Sequence, residues 1–255
     1  MIYYKRTIEN TLAGERSENK VRLIFGARQT GKSTLLLHVL PGEKSVLYNL
    51  QDSKLRRQFE MDPASLGKEL RALEGDKTRV VIDEIQKVPA LLDEIQFLYD
   101  TDPNRWQFFL TGSSARRLRT HSANLLPGRC HVYHLYPVTR LEEAGFDGLL
   151  EKSEVSPDGF PDRNLENRLT FGNLPGVLGE SPERAAATLE AYVENYLEEE
   201  IRREAQVRDM GAFGIFLRLA AGESGKQTNL VRLSQESGVP AATLRNYYQV
   251  LVDTF

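Results

Sequence analysis

Val21-Arg22-Leu23-Ile24-Phe25-Gly26-Ala27-Arg28-Gln29-Thr30-Gly31-Lys32-Ser33 is the stretch from which the rest of the chain is read. Its first five residues form a run of buried-strand type, and its last eight satisfy the pattern G-x-x-x-x-G-K-[ST]. Thr34 to Leu40 then suits a helix that Pro41-Gly42 ends. Strand, glycine loop and helix in that order build a cradle for phosphate. Gly26 and Gly31 let successive backbone N–H groups turn inward, and the helix adds its positive dipole end. Lys32 is expected to reach the β- and γ-phosphates, and the Ser33 hydroxyl to ligate Mg²⁺. Gly26, Ala27, Arg28, Gln29, Thr30, Gly31, Lys32, Ser33 and Thr34 together form the expected binding loop. A chance glycine turn beside a lysine would lack both flanking elements, so the stretch reads as a site for a nucleoside triphosphate.

Composition sets the frame around it. A chain of 255 residues with 40% hydrophobic and 27% charged residues is of ordinary globular type. No apolar run approaches a membrane span, and Met1-Ile2-Tyr3-Tyr4-Lys5-Arg6 lacks the apolar core of a secretory signal. The lone Cys130 excludes an internal disulfide and fits a reducing cytoplasm, where it reads as a small buried side chain beside a strand. Four histidines and one cysteine supply no structural metal cluster. A net charge of −3 neither announces nor excludes a nucleic-acid partner.

Further strands are expected at Ser45–Leu50, Arg79–Glu84, Trp106–Thr111 and His131–Leu135, with helical stretches between them, the α/β pattern. Residues 53–74 are helix-compatible but interrupted at Asp62-Pro63. Pro89 suits the first residue of a helix running to Tyr99, with Leu91, Ile95 and Leu98 on one face. Val80-Val81-Ile82-Asp83-Glu84 is an apolar strand ending in two acids. Asp83 suits the Mg²⁺ shell, and Glu84 suits the orientation or deprotonation of an attacking water. A strand followed by an acidic helix start is the plainer alternative. No Asn-Lys-x-Asp element is present, which favours adenine over guanine nucleotides.

Leu110-Thr111-Gly112-Ser113-Ser114 ends the fourth strand. If that strand is central, Ser113, or Thr111 in second place, can hydrogen-bond the attacking water or the γ-phosphate. Ser113 also suits a helix N-cap, and the two roles are compatible. In Leu125-Leu126-Pro127-Gly128-Arg129, the arginine reads in two ways: pointing at a neighbouring subunit's γ-phosphate, or solvated on a surface turn. Arg116, Arg117 and Arg119 fit a solvated face or pairing with acids.

Composition shifts after Pro137. Residues 145–182 are rich in Gly, Pro, Asp and Ser and read as a linker or irregular lobe. From Pro182 a long helix is expected, with Leu189, Tyr192, Val193, Tyr196, Leu197 and Ile201 on its apolar side and Glu198-Glu199-Glu200 solvated. Thr228–Glu236, the turn Ser237-Gly238-Val239 and Pro240–Val252 read as a helix-turn-helix. Arg245, Asn246 and Tyr248 would then lie on the exposed side of its second helix. DNA contact through 228–252 stands here beside a purely structural helical hairpin.

Taken together, Gly26–Ser33, Asp83-Glu84-Ile85-Gln86, Leu110–Ser114 and Leu126-Pro127-Gly128-Arg129 resemble the prokaryotic AAA+-like ATPases near the STAND and archaeal ATPase clades. That resemblance implies a parallel sheet in the order 5-1-4-3-2, followed by an all-α lobe with a winged-helix-like end. It implies ATP and Mg²⁺ as ligands, with Lys32 and Ser33 on phosphate and metal, Asp83 as metal carboxylate and Glu84 as catalytic base. Ser113 takes a sensor position where many relatives have Asn, and Arg129 that of an arginine finger in a homo-oligomer. It also implies a nuclease-like domain beyond the helix-turn-helix, absent from these 255 residues, so the chain reads as shortened. The expected division is 1–140 as the ATPase domain, 141–182 as linker and 183–255 as helical lobe. The leading reading is an ATPase coupling nucleotide state to movement of that lobe. A nucleotide-gated DNA-binding regulator with little or no hydrolysis is the alternative, and a small-molecule kinase fits poorly.

Overall fold

The computed structural model describes residues 3–13, 20–40, 45–73, 78–113, 118, 126–143, 165–196, 201, 207 and 209–254. They divide into two compact units, Met1–Ala186 and Ala187–Phe255.

The first unit is built on five parallel strands: β1 (Val21–Phe25), β2 (Ser45–Asn49), β3 (Thr78–Asp83), β4 (Trp106–Gly112) and β5 (Cys130–His134). Their order is β2-β3-β4-β1-β5, the order expected from the resemblance. Every strand lies within a residue or so of its expected position, because each is a short β-branched or aromatic run between turn signals.

Alternation within these strands covers both faces of the sheet. Leu23, Phe25, Val80, Ile82, Phe108 and Leu110 form one buried cluster. Opposite them stand Phe59 of α3 (Ser53–Met61), Leu66 and Leu70 of α4 (Ser65–Arg71), and Leu91, Leu92, Ile95 and Leu98 of α5 (Leu91–Thr101). Ile24, Val81 and Phe109 point the other way, onto Leu12 of α1 (Glu9–Ala13) and Leu35 and Leu36 of α2 (Lys32–Val39). A parallel sheet buried on both sides is the arrangement such near-continuous apolar strands require. Cys130 packs half-buried against the first cluster, and burial pushes its thiol above the usual range.

The helix expected from Pro89 begins two residues later. Glu84 takes a left-handed conformation (φ +62°) and a single 3-10 turn, Ile85–Lys87, intervenes before α5. Beyond β5 lie the short α6 (Arg140–Glu143) and α7 (Leu165–Phe171). α8 (Pro182–Tyr196) begins where expected. Of its expected apolar side, Tyr192 is partly buried against the second unit's core, but Val193 is 47% exposed. Leu197 and Glu198–Glu200 lie outside the described residues.

The second unit contains α9 (Met210–Gly222), α10 (Leu230–Ser237) and α11 (Ala241–Thr254). The Asp209 and Asn229 side chains cap α9 and α10 by accepting backbone N–H bonds. Gly238 ends α10 in the left-handed region at φ +70°. Phe213, Phe216, Leu233, Leu244 and Tyr247 form the core, which also takes in Ile201. Arg245 and Asn246 are exposed as expected. Tyr248 is not: its ring packs edge-on against Phe216 with centroids 4.9 Å apart, and its hydroxyl is buried. It lies four residues after the buried Leu244, which puts it on the inner stripe of the helix.

Candidate functional site

The expected site residues other than Arg129 converge at the carboxyl ends of the central strands, where open α/β sheets hold ligands. The loop 26–31 leaves β1 and turns sharply through Gln29 (φ +60°) and Gly31 (φ +92°) into α2. Gly26 is obligatory for close approach, since a Cβ there would collide with the Leu135 carbonyl beside it. The Thr30 hydroxyl donates to the Ala27 carbonyl at 2.9 Å and braces the turn. Lys32 is buried, with Nζ donating to the carbonyls of Gly26 (2.8 Å) and Ala27 (2.9 Å), so its charge sits over the mouth of the loop. Ser33 and Thr34 are exposed and Arg28 half-buried.

β4 runs between β1 and β3, with Thr111 opposite Ile24 and Leu110 opposite Ile82. That register puts the two acids against both neighbours. Ser33 Oγ donates to Asp83 Oδ2 at 2.7 Å, linking the loop to the third strand. The Thr111 hydroxyl donates to Asp83 Oδ1 and accepts the Glu84 backbone N–H at 3.2 Å. Gln86, fully buried, donates through Nε2 to Glu84 Oε2 and to Ser113 Oγ, the latter at 2.8 Å. Asp83, Glu84, Thr111 and Ser113 are all buried. Thr111 and Ser113 therefore do different work: one holds the aspartate, the other joins the glutamate through Gln86. The helix that Ser113 was also expected to cap lies outside the described residues, as do Arg116, Arg117 and Arg119.

A hydroxyl and a carboxylate 2.7 Å apart form a hard-oxygen pair suited to a divalent cation whose other ligands are phosphate and water. No group of three His, Cys, Asp or Glu side chains stands together among the described residues, and a cation shared with a triphosphate needs none.

Arg129 is not part of this cluster. It precedes β5 at the opposite end of the sheet, where its carbonyl accepts the Val21 N–H at 2.9 Å. Its exposed guanidinium donates to Asp100 Oδ1 at 2.6 Å. Any action on a phosphate would have to be on that of another subunit.

Sequence reading missed Arg6. Its buried guanidinium donates to the Thr30 carbonyl of the loop (2.8 Å) and to the Tyr136 carbonyl beyond β5 (2.5 Å), and pairs with Glu142 at 3.2 Å. Glu142 also accepts the backbone N–H groups of Thr7 and Thr139, each at 2.9 Å. Burial alone would raise the Glu142 carboxyl. Those two N–H bonds and Arg6 outweigh it and hold the group below the usual glutamate range. No local pattern signals a pair 136 residues apart. Gln86 did carry a signal, as a polar residue between the apolar Ile85 and Val88.

A parallel sheet in this order, with a glycine-rich loop of phosphate-binding pattern after β1 and an aspartate closing β3, is an α/β fold of AAA-like type. Residues 18–143 match the family profile described as AAA domain, and residues 162–255 match Domain of unknown function (DUF8612). Two curated relatives are the uncharacterised proteins Rv2008c of Mycobacterium tuberculosis and Mb2031c of Mycobacterium bovis. Each is 24% identical over 242 residues, covering 91% of this chain and 48% of the relative. The chain thus spans about half the length of the curated relatives it matches. Among solved structures, one similar chain is a Signal Transduction ATPase with Numerous Domains (STAND) protein with a tetratricopeptide repeat sensor from Pyrococcus horikoshii. It has 16% identity and a TM-score of 0.41, covering 86% of this chain and 34% of that one. Another is RIF2 of Saccharomyces cerevisiae, at 12% identity and a TM-score of 0.37, covering 77% and 72%.

Proposed function

We propose that this chain is a Mg²⁺-dependent ATPase whose nucleotide state moves a C-terminal helical lobe. The observation that carries the reading is the hydrogen-bonded chain from Ser33 to Asp83 to Thr111 to the backbone of Glu84, which ties phosphate loop, metal carboxylate and base into one cluster. Residues 1–140 act as the ATPase domain, 141–182 as the linker and 183–255 as the lobe. α8 runs through the division at Ala186.

Lys32 and the loop N–H groups neutralise the β- and γ-phosphates. Ser33 and Asp83 would hold the cation, which when bound would supply charge stabilisation at the phosphoryl oxygens. Glu84 accepts a proton as a water oxygen attacks the γ-phosphorus; the bond to the β-γ bridging oxygen breaks, leaving ADP and inorganic phosphate. Ser113 donates to the γ-phosphate or water. The left-handed backbone at Glu84 supports this assignment, because such a conformation costs a non-glycine residue about 1–3 kcal/mol and gathers at functional sites.

Glu84→Gln tests the assignment. The substitution keeps size and hydrogen bonding, so ATP should bind with near wild-type affinity while turnover falls by about 10²-fold or more. Phosphate release at the wild-type rate would remove Glu84 from the mechanism.

A second reading, a nucleotide-gated DNA-binding regulator, draws on Arg245 and Asn246, which stand exposed on the helix after the Gly238 turn.

A further inference from the structure

We infer that Gln86 is a positioning residue that brackets the base and the sensor, setting Glu84 and Ser113 in register for attack on the γ-phosphate. The inference rests on the reading of Glu84 as the base and adds a residue to which no role attaches in the motifs.

Three observations converge on it. The side chain is fully buried, yet both of these hydrogen bonds leave from a single nitrogen: Nε2 serves Glu84 Oε2 and Ser113 Oγ together. An ionised carboxylate only accepts, so the face of the amide turned towards Glu84 has to be the NH₂ group. The consequence is visible on the other side, where Gln86 Oε1 is buried without a hydrogen-bond partner. Leaving a buried carbonyl oxygen unpaired is unfavourable, and a side chain held in that orientation is held by what its nitrogen does. Finally, the amide packs close against the end of β4: a Cβ at residue 112 would stand 2.8 Å from Gln86 Oε1.

The chemistry of the bracket follows from its direction. Because Ser113 Oγ accepts from Gln86, the serine's own hydrogen is turned away from the amide and is available to a phosphate oxygen or to the attacking water. The same amide draws the Glu84 carboxylate back over the 3-10 turn, against a backbone that the left-handed conformation at Glu84 has already turned that way. One planar group thus sets the separation of a donor and a base that follow different strands, β4 and β3. Sub-ångström placement of such a pair governs rate more than binding.

The test is steady-state ATP turnover with nucleotide affinity measured separately, on Gln86→Leu, Gln86→Glu, Ser113→Ala and the Gln86→Leu/Ser113→Ala double variant. Gln86→Leu keeps the volume and removes both donors. It is expected to bind ATP within twofold of wild type, yet to lose about 10²-fold in kcat, a split that general loosening of the fold would not produce. Gln86→Glu, which keeps the polarity of the site but sets a second acid against Glu84, is expected to lose at least as much. The double variant should be no slower than the slower single one, because both changes break the same bracket. Wild-type kcat in Gln86→Leu or Gln86→Glu, or losses that multiply in the double variant, would overturn the proposal. Glu84→Gln run alongside separates the two levels. If it turns over normally, the base assignment itself fails. If it is slow while Gln86→Leu is fast, only the bracket fails.

Discussion

Glu142 is buried beside Arg6 and accepts two backbone N–H groups besides, so its ionised form belongs to the folded state. A carboxyl held below its unfolded value contributes stability that is complete above the ordinary glutamate range and is lost as pH falls through the lowered folded value. Glu142→Gln removes that contribution and leaves the Arg6 charge buried without its counter-ion. The cost at pH 7 is expected to be about 3 kcal/mol, the low end for a broken buried pair because the amide still accepts a hydrogen bond. Urea unfolding of both proteins at pH 7 and pH 3.5 checks the sign. The gap between them should narrow at the lower pH, and a gap independent of pH would show that the carboxylate charge is not what stabilises this corner. Arg6 spans the loop at Thr30 and the chain beyond β5 at Tyr136, so the same variant should also loosen nucleotide binding.

Elements place these residues where single side chains could not. β4 entering between β1 and β3 is what sets Thr111 against Asp83, and the 3-10 turn after β3 is what carries Gln86 back under Ser113. In the second unit, α10, the Gly238 turn and α11 leave Arg245 and Asn246 outward, while Leu244, Tyr247 and Tyr248 face the core. If α11 reads DNA, binding to a duplex should weaken steeply with salt, and Arg245→Ala should lower the affinity and reduce the salt slope by about one. Electrophoretic or anisotropy titrations at low salt, with and without ATP, decide this. Absence of binding to both duplex and single strand would leave α10 and α11 as a structural hairpin.

For the whole molecule, Arg129 raises the question of assembly. It stands at the end of the sheet away from Lys32 and Asp83, in an exposed pair with Asp100 that is easily parted. An arginine so placed can reach a γ-phosphate only across a subunit boundary. If Arg129 acts in that way, ATP turnover per subunit should climb with protein concentration in the wild type and stay flat and low in Arg129→Ala. Identical, concentration-independent rates in the two proteins would return Arg129 to a surface turn. No helix among the described residues is long and apolar enough to cross a membrane.

Much of this architecture was readable from local pattern. The five strands are short apolar runs, the loop at 26–33 is a contiguous motif, and the breaks at Asp62-Pro63 and Gly238 are set by backbone stereochemistry that one or two residues impose. Asp83, Glu84 and Ser113 could be nominated because each ends a recognisable strand. Which of Thr111 and Ser113 holds the aspartate was decided by register, a relation between strands that no single segment contains. α5 starts at Leu91, after a left-handed Glu84 and a 3-10 turn that Pro89 did not signal. Arg6 with Glu142, and Gln86 with its two partners, depend on burial and direction in three dimensions. Contiguous motifs record bonds between neighbours in the chain; contacts between distant residues acquire their energy only once the fold has excluded water around them.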